Sequence, residues 1–253
     1  MGHRLPHVFS DPLFGRRAEF GPIPREDDSS WLEWQDVYLR FYEENQRRSI
    51  GRIVTDAGYR ALRAVDLTGK TVLEVGAGAL AHMSEWCGRP GRYILVDVEE
   101  RMLELAASRL RAAGIPVDPR LTDRAAAAWL PVGDSEVDVV LSFYSLEHLY
   151  PLDRHLMEIV RVLRPGGRLV GAIPAEGGLA WGLGRYVTSR RWLLRNTGID
   201  PDKIICWEHP NFADSILKDL GEVLMRKRVW FWPLRIPLLD ANLVVGLEYR
   251  KPV

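Results

Sequence analysis

Short apolar runs alternate with helical patterns through the middle of this 253-residue chain. The runs have the length and continuity of strands that are buried on both faces. They predict strands over residues 71–75, 93–97, 117–121, 137–143 and 168–173, with helices over residues 101–113 and 152–163. Strands that alternate with helices predict a parallel sheet with helices on both faces.

The last part of the chain departs from this alternation. A helix is predicted over residues 212–224, and two strands follow over residues 227–232 and 243–250. The segment between these strands is short and contains Pro233 and Pro237, so it has no room for a helix. Two strands joined in this way pair antiparallel. The predicted fold is therefore α/β, a doubly wound, Rossmann-like sheet of seven strands that ends in an antiparallel hairpin.

The same pattern divides the chain into two parts. Residues 1–66 are predicted as an N-terminal arm and helical cap, and residues 67–253 as the sheet domain. A lid insertion interrupts the sheet domain at about residues 176–205. Prolines and glycines are frequent in residues 1–29, which predicts an extended arm without packed elements.

Two helices are predicted in the cap. The first begins at Ser30, and Glu33 stands three residues later, which completes a capping-box pattern. Aromatic and apolar residues then recur at helical spacing as far as Tyr42. The second helix is predicted over residues 50–65.

Charge and composition exclude several classes of protein. Lys plus Arg number 34 and Asp plus Glu number 34, so the chain lacks the basic excess that binds a nucleic-acid backbone. The N-terminus lacks the apolar region of a signal peptide, and no apolar run is long enough for a transmembrane helix. Cys87 and Cys206 form neither a metal-binding spacing nor a disulfide framework. We therefore expect a cytoplasmic protein that binds neither nucleic acid nor a metal.

A glycine turn follows the first predicted strand and leads into a predicted helix. Gly76 allows a tight turn, and Gly78 allows a ligand to approach the backbone closely. Asp97 ends the second strand, 21 residues after Gly76. In an open sheet this position places a carboxylate over the crevice where strand order reverses, and there it suits the hydroxyls of a ribose.

Two cofactor classes use such a turn. The spacing from Gly76 to Ala81 fits the dinucleotide pattern, so a nicotinamide oxidoreductase is one interpretation. Glu74 stands two residues before the turn, and an acid there suits S-adenosylmethionine, which carries a cationic amino group and a sulfonium. The terminal hairpin favours the same cofactor.

Five motifs in order resemble those of class I S-adenosylmethionine-dependent methyltransferases. They lie at residues 74–78, 97–103, 130–140, 146–149 and 161–167. The resemblance covers residues 70–175 and extends to the final hairpin by topology. It implies cofactor contacts from Glu74, Gly76, Ala77, Gly78, Asp97, Val98 and Met102.

Two departures from the family pattern affect the site. Leu80 occupies the position of the third glycine, so the turn is bulkier than in many members. The family's acid near the adenine has no counterpart at the usual offset, which falls on Ala126. The resemblance assigns the adenine amine to Asp123, with the alanines at residues 125–128 lengthening the loop.

Two histidines are candidates for a general base, because an imidazole titrates near neutrality. His148 follows the fourth predicted strand, at the end where the reactive methyl group lies in this fold. His209 follows the insertion, and the alternative is that its segment only caps the next helix, with Asn211 as N-cap. The alternative for His148 is a structural role, in which it holds the loop that follows. His82 is placed on a helix surface near the cofactor carboxylate.

The insertion is predicted to recognise the acceptor. Residues 177–196 contain no acid and four arginines, which are Arg185, Arg190, Arg191 and Arg195. Without acidic neighbours they would attract an anionic acceptor, such as a phosphorylated, nucleotide-linked or lipid-linked glycan, or a membrane surface. The alternative is a basic face that meets only solvent.

The function predicted from these motifs is methyl transfer from S-adenosylmethionine to a small-molecule acceptor, anionic or linked to a lipid or nucleotide. The alternative is a non-catalytic module that binds the cofactor and acts through a partner. The acceptor, the methylated atom and the oligomeric state stay open.

Overall fold

Seven strands form one sheet in the computed structural model, which describes residues 2–41, 44, 50–123 and 129–253. They are β1 Thr71–Val75, β2 Arg92–Asp97, β3 Val117–Leu121, β4 Val137–Phe143, β5 Leu163–Pro174, β6 Met225–Trp232 and β7 Val244–Arg250. Their order is β3-β2-β1-β4-β5-β7-β6, and β7 runs antiparallel to both of its neighbours. The predicted doubly wound sheet with its terminal hairpin is confirmed.

The strand order reverses at β1, which pairs in parallel with β2 on one side and with β4 on the other. At such a reversal the connections leave toward opposite faces and open a crevice at the carboxyl ends of the strands. The glycine turn, Asp97 and His148 all follow the carboxyl ends of these three strands. The topology therefore gathers them at one edge of the sheet.

Helices cover both faces of the sheet. The helices of the described residues are α1 His7–Phe14, α2 Arg17–Phe20, α3 Ser29–Phe41, α4 Ile50–Tyr59, α5 Glu100–Ala112, α6 Leu152–Val162, α7 Leu179–Val187, α8 Ser189–Asn196, α9 Pro201–Glu208 and α10 Ala213–Val223. Apolar residues of α6 and α10 pack with Leu73, whereas those of α5 pack with Val72. Neighbouring strand residues point to opposite faces, so the two cores lie on opposite sides of the sheet. No helix in the described part of the chain is both long and apolar enough to cross a membrane.

The helix predicted after the glycine turn does not form. The segment between β1 and β2 contains turns and one 3-10 helix, Met83–Glu85. Leu80 has a φ of 48° and Gly88 a φ of 81°, and each left-handed residue interrupts a helix. Pro90 further limits the length available.

The prediction of an extended N-terminal arm is also wrong, because residues 7–14 and 17–20 are helical. Phe14 is only 2% exposed, and its ring meets Phe212 edge to face with centroids 6.1 Å apart. Burial of such aromatic surface against the rest of the chain stabilises a short helix that would be marginal in isolation.

The N-terminal cap and the insertion share one core. Trp31, Trp34 and Phe41 of α3 pack with residues of the insertion and its last helix, Leu193, Ile199, Ile204, Cys206 and Trp207. Aromatic rings dominate this core, in which three of the nine tryptophans of the chain are buried. The two segments, far apart in sequence, therefore fold as one helical layer.

The predicted capping box does not form at the start of α3. The Ser30 amide donates instead to Asp28 Oδ1 at 2.9 Å. The Ser30 hydroxyl accepts from the Asp200 amide at 3.1 Å, and Glu33 accepts from the Gly198 amide at 3.0 Å. Both side chains therefore bind the insertion, because the tertiary contact supplies donors that the helix terminus would otherwise have supplied.

Candidate functional site

A glycine turn joins the carboxyl end of β1 to the crevice. Gly76 has a φ of 71° and Gly78 a φ of 48°, a region that glycine adopts without strain. A Cβ at Gly76 would lie 2.7 Å from the Cβ of Ser145, which follows β4. The Ser145 hydroxyl donates to the Val75 carbonyl at 2.8 Å. The turn and the loop after β4 are therefore in direct contact.

Asp97 is buried at the carboxyl end of β2 and faces this turn. Its Oδ2 accepts from the Gly78 amide at 3.2 Å, and its Oδ1 accepts from the Glu99 amide at 2.9 Å. Burial raises the pKa of the Asp97 carboxyl, and the hydrogen bonds from Glu99 and Gly78 oppose that rise. Asp97 thus ties the end of β2 to the glycine turn.

The residues present fit the nucleoside part of S-adenosylmethionine. Each Asp97 oxygen accepts one backbone hydrogen bond and has a further lone pair, as two ribose hydroxyls would need. Gly76 and Gly78 keep side chains out of the turn, which lets a ligand approach its backbone.

Glu74 is fully enclosed rather than open to the crevice. Its Oε1 lies 2.6 Å from His82 Nε2, and its Oε2 accepts from the Tyr93 hydroxyl at 2.5 Å. His82 is 1% exposed, so its predicted place on a helix surface is wrong. The missing helix explains the difference, since the irregular segment folds His82 inward and Trp86 Nε1 donates to its Nδ1 at 3.0 Å. Cofactor contact by Glu74 stays a prediction.

The other predicted cofactor residues lie after the ends of β1, β2 and β3 and in the first turn of α5. Ala77 is buried, and Met102 is half-buried on α5. Val98 is 39% exposed immediately after β2, and Asp123 is exposed two residues after β3. The alanines at residues 125–128, which were to lengthen the adenine loop, lie outside the described residues.

The two candidate bases, selected separately from the sequence, lie together. The ring centroids of His148 and His209 are 4.7 Å apart, and the ring planes are inclined at 75°. His148 Nδ1 hydrogen-bonds the backbone carbonyl of Glu208, the residue before His209. The loop after β4 and the segment after α9 therefore form one imidazole pair near the glycine turn.

Asn211 holds these two segments together. Its Nδ2 donates to the carbonyl of Leu146 at 3.0 Å and to the carbonyl of Leu149 at 2.6 Å. It is therefore not the N-cap predicted for α10, whose N-cap position is occupied by Phe212 without a side-chain hydrogen bond. The amide satisfies carbonyls of another loop, which no local pattern could reveal.

Glu176, which follows β5, is a buried carboxylate that sequence reasoning missed. His209 Nδ1 lies 2.9 Å from its Oε2. Arg185 donates to both of its oxygens, at 2.7 and 2.8 Å, and Trp181 Nε1 donates at 2.8 Å. Burial would raise the pKa of Glu176, but Arg185 and His209 hold it well below its usual value. The carboxylate therefore accepts only, so His209 carries a proton on Nδ1 and has an unprotonated Nε2 when neutral.

Glu147 is the opposite kind of carboxyl, although it is buried beside His148. Burial raises its pKa from 4.5 to about 8, and the Glu176 charge acts in the same direction. Within the described residues, its Oε2 has no hydrogen-bond partner. Its Oε1 lies 3.9 Å from His148 Nε2. Burial therefore favours the protonated form of this carboxyl, whose Oε2 is enclosed among protein atoms.

The insertion arginines do have acidic neighbours, contrary to the prediction. Arg185 forms the buried pair with Glu176, and Arg190 pairs with Asp202 of α9. Asp202 stands outside the 177–196 window, so the local charge count could not include it. Two of the four arginines are thereby neutralised.

Arg17 of the N-terminal segment is a second residue that the sequence did not indicate. Its guanidinium donates to the carbonyls of His209 and Pro210 at 2.7 and 3.1 Å, and it lies 4.0 Å from the centroid of the Phe212 ring. Glu176 could have been found as an acid directly after a predicted strand. Arg17 lies in a segment predicted to be extended, and no pattern there indicated a site.

Comparisons with known proteins agree with this geometry. A family profile described as a methyltransferase domain matches residues 73–171. An uncharacterized methyltransferase of Mycobacteroides abscessus is 34% identical over 245 residues, which covers 85% of this chain and 90% of that protein. The ubiquinone/menaquinone biosynthesis C-methyltransferase UbiE of Escherichia coli is 32% identical, over 40% of this chain and 41% of that protein.

The fold is also similar to that of a methyltransferase of known structure. A methyltransferase from Aquifex aeolicus that depends on S-adenosylmethionine superposes with a TM-score of 0.55, at 19% identity, over 84% of this chain and 97% of that one. The Mycobacteroides relative extends over most of both chains, so it decides between the two cofactor classes that the glycine turn left open. This chain belongs to the class I S-adenosylmethionine-dependent methyltransferases.

Proposed function

We propose that this methyltransferase acts on a small amphipathic molecule, of the lipid-linked kind among the predicted acceptors, and that His209 removes a proton from it. The observation that carries the proposal is the hydrogen bond between His209 Nδ1 and the buried Glu176 carboxylate. A carboxylate in this position orients the ring and stabilises the imidazolium that forms when Nε2 accepts a proton.

The partners of the two histidines distinguish their roles. His209 Nδ1 hydrogen-bonds the buried carboxylate of Glu176, whereas His148 Nδ1 hydrogen-bonds the backbone carbonyl of Glu208 and lies 3.5 Å from the Glu208 carboxylate. We assign proton removal to His209, because its hydrogen bond to Glu176 places the proton on Nδ1 and leaves Nε2 to accept another. We assign to His148 the positioning of the acceptor beside His209. Its carbonyl bond fixes the Nδ1–H tautomer and points Nε2 toward Glu147.

Glu147 completes the electrostatics of the proposed reaction. S-adenosylmethionine supplies an electrophilic methyl group, so the acceptor needs a nucleophilic oxygen or carbon that is freed of its proton. A protonated Glu147 adds no second negative charge beside Glu176. It can therefore remain uncharged beside His148 while His209 takes the proton.

The walls of the site favour an amphipathic acceptor over a strongly anionic one. Arg185 and Arg190 of the insertion form ion pairs with Glu176 and Asp202, so their charge is already neutralised. The outward side of α7 carries the exposed Leu183, and that of α8 carries the exposed Leu194 between Arg191 and Arg195, so the surface beside the site is amphipathic. The C-methyltransferase activity in the name of the Escherichia coli relative also supports an acceptor whose nucleophile needs a base.

The test compares two acceptor panels. Purified protein with S-adenosylmethionine is assayed for the demethylated product, using alkyl-chain phenols and lipid-linked glycans in one panel and water-soluble sugar phosphates in the other. We expect turnover only in the first panel. Turnover restricted to sugar phosphates would overturn the acceptor class.

The base is tested by His209→Gln, with His155→Gln as matched control. His155 lies on α6, and its Nδ1 hydrogen-bonds the Pro151 carbonyl at 2.9 Å. We expect His209→Gln to lower kcat by about 10²–10⁴-fold and to leave cofactor affinity within about twofold. If kcat is unchanged while the control is also unchanged, His209 is not the base.

A further inference from the structure

An apolar surface that is exposed to solvent spans three helices, and we name it the α1–α7–α8 face. On α1 and just before it, Val8 is 73% exposed and Phe9 is 62% exposed. The other exposed apolar members are Leu5, Leu183, Tyr186, Val187 and Leu194. A contiguous patch of exposed apolar side chains marks an interaction surface more often than single, scattered apolar side chains do.

The internal packing of the helices does not need these side chains. On the buried side, α7 meets α1 so closely that a Cβ at Gly182 would lie 2.8 Å from the Phe14 ring. Arg185 donates to the Leu13 carbonyl at 2.8 Å, which fixes the same contact. The outward side carries two shallow grooves of about 410 and 380 Å³, and both include Tyr186. The face is therefore rigidly supported.

The charge of this face is one-sided, although the chain as a whole is neutral. Three of the five arginines in residues 2–14 and 179–196 pair with acids outside these segments, Arg4 with Asp214, Arg185 with Glu176 and Arg190 with Asp202. His7 Nδ1 lies 3.1 Å from Asp11 Oδ1. Arg191 and Arg195 are exposed beside Leu194, and neither forms an ion pair with another residue of the described segments. Basic charge thus borders the apolar side chains.

We propose that the α1–α7–α8 face binds the surface of an anionic lipid bilayer. Val8, Phe9 and their apolar neighbours would enter the boundary between head groups and acyl chains, as the apolar side of an interfacial helix does. Arg191 and Arg195 would lie at the level of the phosphates and gain from the negative surface potential.

Charge complementarity favours a bilayer over a second copy of the chain. A symmetric contact between two copies brings the same patch against itself. That contact would bring the exposed Arg191 and Arg195 of both copies together, while the acids that pair with the other arginines of the face are already occupied. An anionic bilayer supplies a phosphate for each arginine, so it satisfies both the apolar and the charged parts of the face.

The same helix joins this face to the proposed acceptor site. Arg185 and Trp181 extend from α7 to the buried Glu176, while Leu183 and Tyr186 extend outward. A bilayer on the outer side would lie one helix away from the site. Bilayer binding itself depends on neither cofactor nor acceptor, so its failure and the failure of the proposed reaction are distinguishable.

The experiment is sedimentation of the purified chain with vesicles. Vesicles of phosphatidylcholine alone are compared with vesicles that also contain phosphatidylglycerol. We expect binding to the anionic vesicles, weakened about fivefold for each arginine removed in Arg191→Gln and Arg195→Gln. Phe9→Ser should weaken vesicle binding by about tenfold or more, because the variant lacks the phenyl group that the bilayer would bury.

Matched controls remove comparable groups elsewhere. Met157→Ser and Arg154→Gln change exposed residues of α6, which is not part of the face, and should leave vesicle binding unchanged. Circular dichroism checks that each variant is folded. Absence of vesicle binding by the native chain overturns the proposal. A change in oligomeric state with Phe9→Ser, without a change in vesicle binding, also overturns it and assigns the face to self-association.

Discussion

Asp97 and Glu176 are both buried carboxyl groups at the carboxyl edge of the sheet, yet their pKa values move in opposite directions. Burial raises the pKa of Asp97, whose partners are the backbone amides of Gly78 and Glu99. The pKa of Glu176 lies well below its usual value, because Arg185 and His209 outweigh the effect of burial. One carboxyl is held by backbone dipoles and the other by full charges.

The difference matches the roles proposed for the two ends of the crevice. On the proposed cofactor side, the Asp97 oxygens keep lone pairs for a ligand, and neutral partners leave the charge available. On the proposed acceptor side, Glu176 forms an ion pair with Arg185 and hydrogen-bonds His209. In this proposal Asp97 contacts a ligand directly, whereas Glu176 acts through another side chain.

Of the substitutions at these carboxyl groups, Glu176→Gln should lower the free energy of unfolding most. It leaves Arg185, which is 9% exposed, without its charged partner, and breaking a buried pair in this way costs about 3–5 kcal/mol. Urea denaturation measures the free energy of unfolding. Glu248→Gln is the control, because its pair with Arg168 lies near the surface and should cost less than about 1 kcal/mol. Equal losses in the two variants would contradict a stabilising role for the buried pair.

Asp97→Ala should act on ligand binding more than on folding. Loss of an ionised acceptor for ribose hydroxyls costs about 1.5–3 kcal/mol per hydrogen bond, or roughly 10- to 100-fold in affinity. Loss of the bond to the Glu99 amide should cost only about 1 kcal/mol of stability. Titration calorimetry with S-adenosylmethionine measures the first quantity, and Asp118→Ala, which removes only pairs with Arg92 and Arg120, is the control. Unchanged affinity in Asp97→Ala would reduce Asp97 to a capping residue.

The raised pKa of Glu147 predicts that the free energy of unfolding depends on pH. Its pKa rises from 4.5 to about 8 on folding, so the native state holds a proton that the unfolded chain releases. Its contribution to stability is full below pH 4.5 and is lost as pH rises to about 8. Glu147→Gln should therefore gain about 1.4 kcal/mol relative to the native chain for each pH unit between the lower and the upper value.

The measurement for Glu147 is a series of denaturation curves across that pH range. Glu222→Gln on α10 is the matched control, because Glu222 is exposed and pairs only with Lys218 one turn away among the ion pairs of the described residues. The control should follow the native chain at every pH. A constant difference between Glu147→Gln and the native chain would show that the carboxyl is ionised at neutral pH.

Asn211→Ala should have the smallest effect. It leaves the carbonyls of Leu146 and Leu149 without their donor, which should cost about 1–2 kcal/mol of stability. Thermal unfolding measures this loss against Asn196→Ala, whose amide donates to a carbonyl of its own exposed helix. If kcat falls with unchanged stability, the amide serves the spacing of the two histidines rather than the fold.

The cofactor side was predictable because its signals are local. The strand before Gly76, the turn itself and Asp97 at the end of the next strand all lie within one β-turn-β segment. The period of apolar residues places such strands within one or two residues of their observed bounds. The error on this side, the helix expected before β2, came from the left-handed Leu80, a conformation that leucine rarely adopts.

The acceptor side was only half predictable because its contacts join distant segments. His148 was selected after a strand end and His209 after the insertion, but their proximity depends on the path of the insertion. The pairing of Arg190 with Asp202 reduces the positive charge that was expected of the insertion. A count of charges in one window cannot include partners that a fold brings from another.

The sequence by itself determined the sheet, the position of the crevice and the cofactor, since periodicity and glycine turns express preferences of neighbouring residues. Only the tertiary structure decided that the N-terminal segment is helical, where it packs through Phe14 against Phe212. It also decided that Glu176 is ionised and holds His209, since a buried carboxylate needs Arg185 within hydrogen-bond distance. Burial and charge pairing are properties of neighbours in space, and these neighbours are far apart along the chain.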